Sequence, residues 1–318
     1  MPLHLDAADP AGIADVLDRL GLLPSPVARV ASAGEGNMNL TLRVTFEDGA
    51  SRIVKQARPW VEKYPSIAAP DERALVEAAF YQALTGTSVA ERMPTLLGVL
   101  PDARIQVFED LGESRDYTDL YAGEALATDD LRVLLQWLSE LHELEPPTDA
   151  RLANRAMRAL NHAHIFEIRF QADNGLDLDG ICPGLSAIAR EVQADDALLG
   201  VVARFDRRYL SDGTSLLHGD FYPGSFLRTE RGPVVIDPEF AFVGDRAFDW
   251  GVFGGHLVLA QQAHPLIHKH FALGPTEALV YAGIEILRRL LGVAQLPLQA
   301  DLEARREMVR IARDWILQ

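Results

Sequence analysis

The sequence predicts an α+β chain of two lobes, a small β-rich one over residues 1–112 and a larger, mainly helical one over residues 113–318. Two observations carry this reading. Apolar runs of strand length, separated by Gly- and Asp-containing turns, fill the first part, whereas beyond about residue 114 apolar residues recur mainly at helical spacing. The composition, 48% hydrophobic and 24% charged, supplies packed cores and argues against disorder.

In order along the chain, residues 11–21 form a short amphipathic helix stopped by Gly21. Strands follow over 27–31, 40–46 and 52–56, the first two joined through Ala33-Gly34-Glu35-Gly36-Asn37 and the next two through Asp48-Gly49. A Pro-containing loop covers 58–70. Leu75, Ala78, Ala79 and Ala83 then mark a helix over 71–85, and strands over 95–100 and 104–109 flank the Pro101-Asp102 turn. Asp129 and Asp130 can cap a helix running through Leu131, Leu134, Leu135, Leu138 and Leu141. Segments 152–170 and 188–210 read as helical. Two β runs, 226–229 and 234–236, surround the Arg231-Gly232-Pro233 turn, and long helices return from Phe248. A cofactor is expected in the cleft between two such lobes.

Charge and cysteine usage exclude some functions. A net charge of −16 disfavours nucleic-acid binding, which needs basic surfaces. Cys182 is the single cysteine, so no internal disulfide forms, and no run approaches the ~20 apolar residues of a membrane span. The N-terminus has acidic residues where a secretory signal carries basic ones, so the expectation is a soluble, cytoplasmic protein, monomeric or homodimeric. His142, His162 and His164 lack the spacing of a metal site.

The chemistry concentrates in Leu216-Leu217-His218-Gly219-Asp220-Phe221-Tyr222-Pro223-Gly224-Ser225 and in Val234-Val235-Ile236-Asp237-Pro238-Glu239-Phe240. An apolar strand that ends in Asp-Pro-Glu offers two carboxylates two residues apart. If the backbone stays extended they leave one face, ready for a hard cation such as Mg²⁺. Asp220, in a Gly-containing loop, can orient or accept the proton of an attacking hydroxyl, an arrangement suited to phosphoryl transfer. Each of these residues alone would pass for a turn residue; their combination behind a β-rich first part is what points to chemistry.

These segments resemble the aminoglycoside phosphotransferase and choline kinase superfamily, and within it the methylthioribose kinase branch. His218-Gly219-Asp220 is similar to the superfamily's catalytic loop, and Val235 to Phe242 (Val-Ile-Asp-Pro-Glu-Phe-Ala-Phe) matches its metal motif in that branch without a change. Gly34-Glu35-Gly36-Asn37-Met38-Asn39-Leu40, Val54-Lys55-Gln56-Ala57, Glu109-Asp110-Leu111, Phe248-Asp249 and Arg288-Arg289-Leu290-Leu291-Gly292-Val293-Ala294 match further motifs, so the likeness runs from about residue 30 to 300. Ser225 stands where the superfamily usually has Asn and this branch has Ser; Phe221-Tyr222-Pro223 departs from the branch.

The resemblance implies a bilobal protein-kinase-like fold, ATP and Mg²⁺ as cofactors, and a small sugar as acceptor. Asp220 becomes the catalytic residue. Gly34, Gly36, Asn37 and Asn39 approach the phosphates, Lys55 pairs with Glu77 in preference to Glu72, and Phe108 to Leu111, with Glu109 and Leu111 among them, form the hinge whose backbone reads adenine. Asp237, Glu239 and Ser225 hold metal, and Arg288 and Arg289 serve the acceptor together with Asp220. His218 and Asp249 brace the loop. Arg288 and Arg289, roughly 100° apart on a helix, cannot share one face, and either can reach Glu285. The competing readings are an antibiotic or amino-alcohol kinase of the same fold, which a carboxylate-lined acceptor pocket would mark, and a nucleotide-binding protein without turnover.

Overall fold

Alternation along three neighbouring strands decides the layout of the first part. A computed structural model describes residues 3–34, 38–172 and 174–318, and the chain divides into two compact units. The first comprises Met1–Ser114, Asp149–Met157 and Val234–Phe240; the second comprises Arg115–Thr148, Arg158–Pro233 and Ala241–Gln318. The expected border at residue 112 lies near the first break, but the Asp-Pro-Glu segment and residues 149–157 belong with the first unit, which a linear division of the sequence does not reveal.

In the first unit, helix α1 (Pro10–Arg19) precedes β1 (Val27–Ser32), β2 (Leu40–Phe46) and β3 (Ser51–Gln56). The short strands β4 (Trp60–Val61) and β5 (Tyr64–Ala68) pair as an exposed hairpin inside the expected loop; with no buried face, the segment carries no alternation to read. Helix α2 (Arg73–Ala83), β6 (Leu96–Leu100) and β7 (Ile105–Glu109) follow. The main sheet has the order β1-β2-β3-β7-β6, antiparallel throughout. Leu42, Val44, Val54 and Val107 project to one face and bury with Ile13, Val16 and Leu17 of α1. Period-2 alternation therefore sends Lys55, between Thr41 and Gln106 in register, to the other face. There α2 packs, with Tyr81 5.1 Å from the Phe108 ring.

The second unit begins with β8 (Arg115–Asp116) and α3 (Thr128–Glu143). The expected helix over 152–170 is broken: α4 (Arg155–His162) runs into a π turn at Ala163–Glu167 and a 3-10 turn at Ile168–Phe170. The expected helix over 188–210 is two, α6 (Leu185–Gln193) after the single turn α5 (Leu178–Ile181), and α7 (Asp196–Leu210), whose start is capped by Asp195 accepting from Leu198 N. Strands β9 (Ser215–Leu217), β10 (Phe226–Thr229), β11 (Gly232–Val235) and β12 (Phe242–Gly244) are short. They lead into α8 (Ala247–Leu259), α9 (His264–Leu273), α10 (Ala278–Leu291) and α11 (Leu302–Ile316).

Helix α8 is buried along its whole length, and α10 at every residue but Leu279. Gly251 and Gly255 bring them together: a Cβ on Gly251 would lie 2.3 Å from Tyr281 Cβ, and one on Gly255 2.9 Å from the Ala282 carbonyl oxygen. That close approach sets His256 against Glu285. Among the described residues no helix is long and apolar enough to cross a membrane.

Candidate functional site

Lys55 is the centre of the first unit's polar cluster. Its Nζ lies 2.8 Å from Glu77 on α2 and 2.8 Å from Asp237 Oδ1. Both Lys55 and Glu77 are buried. Burial works against the ammonium charge, but Asp237, Glu77 and Glu239 outweigh it and hold the Lys55 pKa raised. Burial pushes the Glu77 carboxyl up to about 7, with Lys55 pulling the other way. Glu72, the alternative partner, stands instead as N-cap of α2.

The two carboxylates of the Asp-Pro-Glu segment do not leave one face. The expectation rested on an extended backbone, but Asp237 has φ +60° and residues Pro238–Phe240 form a 3-10 turn. Asp tolerates this left-handed conformation better than most residues. The turn leaves the Asp237 side chain half exposed and buries that of Glu239, 7% exposed. Glu239 Oε2 accepts from Asn39 Nδ2 at 2.7 Å and pairs with Arg73 Nε at 3.2 Å. Burial raises the Glu239 pKa against the pull of Lys55 and Arg73.

Arg73 is a residue that the sequence did not single out. It is fully buried, and its guanidinium donates to Asn39 Oδ1 (2.9 Å) and to the carbonyls of Arg58 (2.9 Å), Pro70 (2.7 Å) and Met38 (2.7 Å). Its pKa is lowered by burial, against Glu239, Asp71 and Glu77. An arginine in the first turn of an apolar helix has no motif around it, so pattern alone offered no signal. Both ends of the Asn39 amide are committed to Arg73 and Glu239, which leaves its backbone for any nucleotide contact. Gly34 adopts φ +85°, while Gly36 and Asn37 lie outside the described residues.

At the expected hinge, Glu109 accepts from Thr95 Oγ1 at 2.7 Å, and Asp110 takes Arg43 at 2.8 Å and the Gly112 amide at 2.9 Å. The side chains of Glu109 and Asp110 thus serve the turn, and Leu111 is half buried.

Asp220 belongs to the second unit. Asp249 on α8 accepts the amides of His218 (2.7 Å) and Gly219 (3.0 Å), the bracing that the resemblance implied, and His142 Nε2 lies 3.2 Å from the same carboxylate. Phe221 stacks on Trp137 at 5.3 Å and is fully buried, anchoring the loop from behind. Ser225 donates its hydroxyl to the Asp220 carbonyl at 2.8 Å, which leaves the oxygen lone pairs as its only offer to a cation.

Arg288 and Arg289 both pair with Glu285, which lies three and four residues before them and between them on the helix surface. Arg289 Nε lies 2.6 Å from Glu285 Oε1 and Arg288 Nη1 3.2 Å from Oε2. Arg289 Nη2 also lies 3.5 Å from Asp220 Oδ1. Burial opposes the charge on both Glu285 and Arg289, yet their pairing wins: the Glu285 pKa is held well below the usual range, and that of Arg289 is raised. Glu285, three and four residues before the arginines, was legible as a partner for one of them; its role as hub for both was not.

Among the described residues no three His, Cys, Asp or Glu side chains gather as a metal site. Asp237 and Glu239 each have one oxygen engaged by the protein, and Asp237 is open on its exposed side. That donor set, carboxylate oxygens only, suits a hard cation completed by phosphate and water.

The fold and these loops define a class. Solved structures with the same protein-kinase-like fold include the choline kinase LicA from Streptococcus pneumoniae (TM-score 0.53, 12% identity, covering 95% of this chain and 97% of that one). A choline/ethanolamine kinase family protein from Mesorhizobium loti is alike to the same degree (TM-score 0.54, 14% identity, 96% and 95%). The chain belongs to the phosphotransferase enzyme family, APH, whose pattern matches residues 29–282. Its relatives include methylthioribose kinases from Escherichia coli (29% identity, covering 74% of this chain and 59% of the relative) and Pectobacterium atrosepticum (31%, 74% and 61%). A third, from Geobacillus sp., is 26% identical with 94% and 89% covered. The chain thus spans about three fifths of the length of the first two relatives.

Proposed function

We propose that this protein is a soluble, cytoplasmic kinase that moves the γ-phosphoryl group of ATP to a hydroxyl of a small sugar, with 5-methylthioribose or a related 5-deoxypentose as the favoured acceptor. The observation that carries the acceptor reading is the arginine beside the catalytic-loop carboxylate: Arg289 lies 3.5 Å from Asp220 and is buried with Arg288 on Glu285. A buried guanidinium there opposes a polycationic antibiotic and can donate to sugar oxygens. The relatives' names support the same acceptor.

In this reading Lys55, fixed by Glu77, neutralises nucleotide phosphate, and Asp237 and Glu239 would hold Mg²⁺. Bound Mg²⁺ would supply charge neutralisation on the phosphates. Asp220 orients the acceptor hydroxyl and receives its proton; its loop is rigid because Asp249 grips the two preceding amides. Arg289 stands beside Asp220 and faces the acceptor. Rate enhancement then comes from positioning and electrostatics.

A coupled ADP-release assay across 5-methylthioribose, deoxyribose, ribose, choline and aminoglycosides tests this. Release is expected with the deoxypentoses, and Asp220→Asn should cut turnover by orders of magnitude while ATP still binds. Response to amines alone would overturn the sugar assignment; equal turnover in Asp220→Asn would remove Asp220 from its role.

A further inference from the structure

Behind Arg289 runs a line of buried polar side chains that no motif announces. The Tyr121 hydroxyl lies 2.6 Å from His256 Nδ1, and His256 Nε2 lies 3.2 Å from Glu285 Oε1. Tyr121, His256 and Glu285 are buried at 2%, 0% and 1% exposure, so these bonds are made without competition from solvent.

Chemistry fixes the direction of each bond. A carboxylate only accepts, so His256 Nε2 carries its proton and donates to Glu285. Burial lowers the His256 pKa, keeping the ring neutral, so Nδ1 is an acceptor, and the Tyr121 hydroxyl is its donor. The same Glu285 Oε1 accepts from Arg289 Nε at 2.6 Å, and Arg289 reaches Asp220 at 3.5 Å. On the other side, the Tyr222 ring lies 5.1 Å from the Arg289 guanidinium and 5.2 Å from the His256 ring. Gly224 makes room for that ring, since a Cβ there would lie 2.4 Å from the Tyr222 hydroxyl.

We propose that Tyr121 and His256 are positioning residues of the acceptor site: together they fix Glu285, and Glu285 fixes the guanidinium of Arg289 beside Asp220. The inference rests on the reading of Asp220 and Arg289 as acceptor-side residues. Arg288 and Arg289 both hold Glu285 from their own helix; His256, from α8, supplies the grip from outside α10 that stops the carboxylate from turning with them. A guanidinium held at a fixed point loses less freedom when it meets a substrate, so the prop acts on acceptor affinity.

Two measurements test it on the full chain. In ¹⁵N-histidine spectra, with His256 assigned through His256→Gln, the ring is expected as the neutral Nε2–H tautomer at pH 7. An Nδ1–H tautomer or a protonated ring there overturns the proposal whatever the acceptor proves to be. In steady-state kinetics with 5-methylthioribose at saturating ATP, Tyr121→Phe is expected to raise the acceptor KM roughly 3- to 10-fold, the worth of one buried hydrogen bond, with the KM for ATP unchanged. In an Arg289→Lys background the same change should add less than about 2-fold, because the effect passes through Arg289. His256→Gln, which still donates to Glu285, should recover acceptor affinity lost in His256→Leu. Unchanged acceptor KM in Tyr121→Phe while Asp220→Asn is inactive sinks the prop alone. Absence of ADP release from the wild type with every acceptor sinks the kinase reading, and the tautomer then decides the prop.

Discussion

Arg73→Met is the most searching test of how the first unit is built. The guanidinium is fully buried and holds Asn39, four backbone carbonyls and Glu239 from a single point. Methionine fills most of the volume but leaves Glu239, 7% exposed, with Asn39 as its remaining close donor, and takes the guanidinium from the carbonyls of Arg58 and Pro70. Breaking one side of a buried ion pair costs about 3–5 kcal/mol, and each stranded carbonyl that stays dry adds ~1–3 kcal/mol. Water entering beside Pro70 and Trp60 will recover part of the second term, so a net loss of about 4 kcal/mol is expected. That is a large share of the ~5–15 kcal/mol that holds an ordinary domain. Urea unfolding followed by circular dichroism measures the loss, and amide exchange over Arg73–Ala83 localises it. Arg73→Met with Glu239→Gln should lose less than the two changes summed, because the second removes the charge that the first strands. A loss under ~1 kcal/mol for Arg73→Met, or strict additivity in the pair, would refute the reasoning.

Two further outcomes are expected. Lys55→Met should weaken ATP binding, measured by calorimetry, while acceptor binding is kept; undiminished ATP affinity would dissociate Lys55 from the phosphates. Acid sensitivity should come in part from His270, which donates to the Trp250 carbonyl at 2.6 Å and whose pKa burial lowers from 6.5 to about 4. A lowered folded-state value means that the unfolded chain takes the proton first. Stability from this residue is therefore complete above pH 6.5, declines as pH falls toward 4, and loses about 3 kcal/mol over that window. His270→Gln should flatten that part of a melting-temperature profile, and an unaltered slope would assign the acid sensitivity elsewhere.

Much of this protein is written locally. Alternation named the strands at Leu40–Phe46 and Ile105–Glu109, and helical spacing named α2, because each pattern is set by which face of one element is buried. The candidate residues were legible for a related reason: Asp220, Asp237 and Glu239 stand in short runs whose chemistry depends on neighbours one or two positions away. Where a pattern needed a distant partner, the sequence was silent or misleading. The Asp-Pro-Glu carboxylates part company because Asp237 takes a left-handed backbone and Glu239 turns to Arg73, which precedes it by more than 160 residues. His256 faces Glu285 only because Gly251 and Gly255 let two helices close on each other. The sequence by itself named the strands of the main sheet, helix α2 and the residue types proposed for the reaction. Which polar groups hold one another was decided by tertiary packing, since a buried charge is satisfied by whatever the fold brings within about 3 Å, and that distance is no property of sequence spacing.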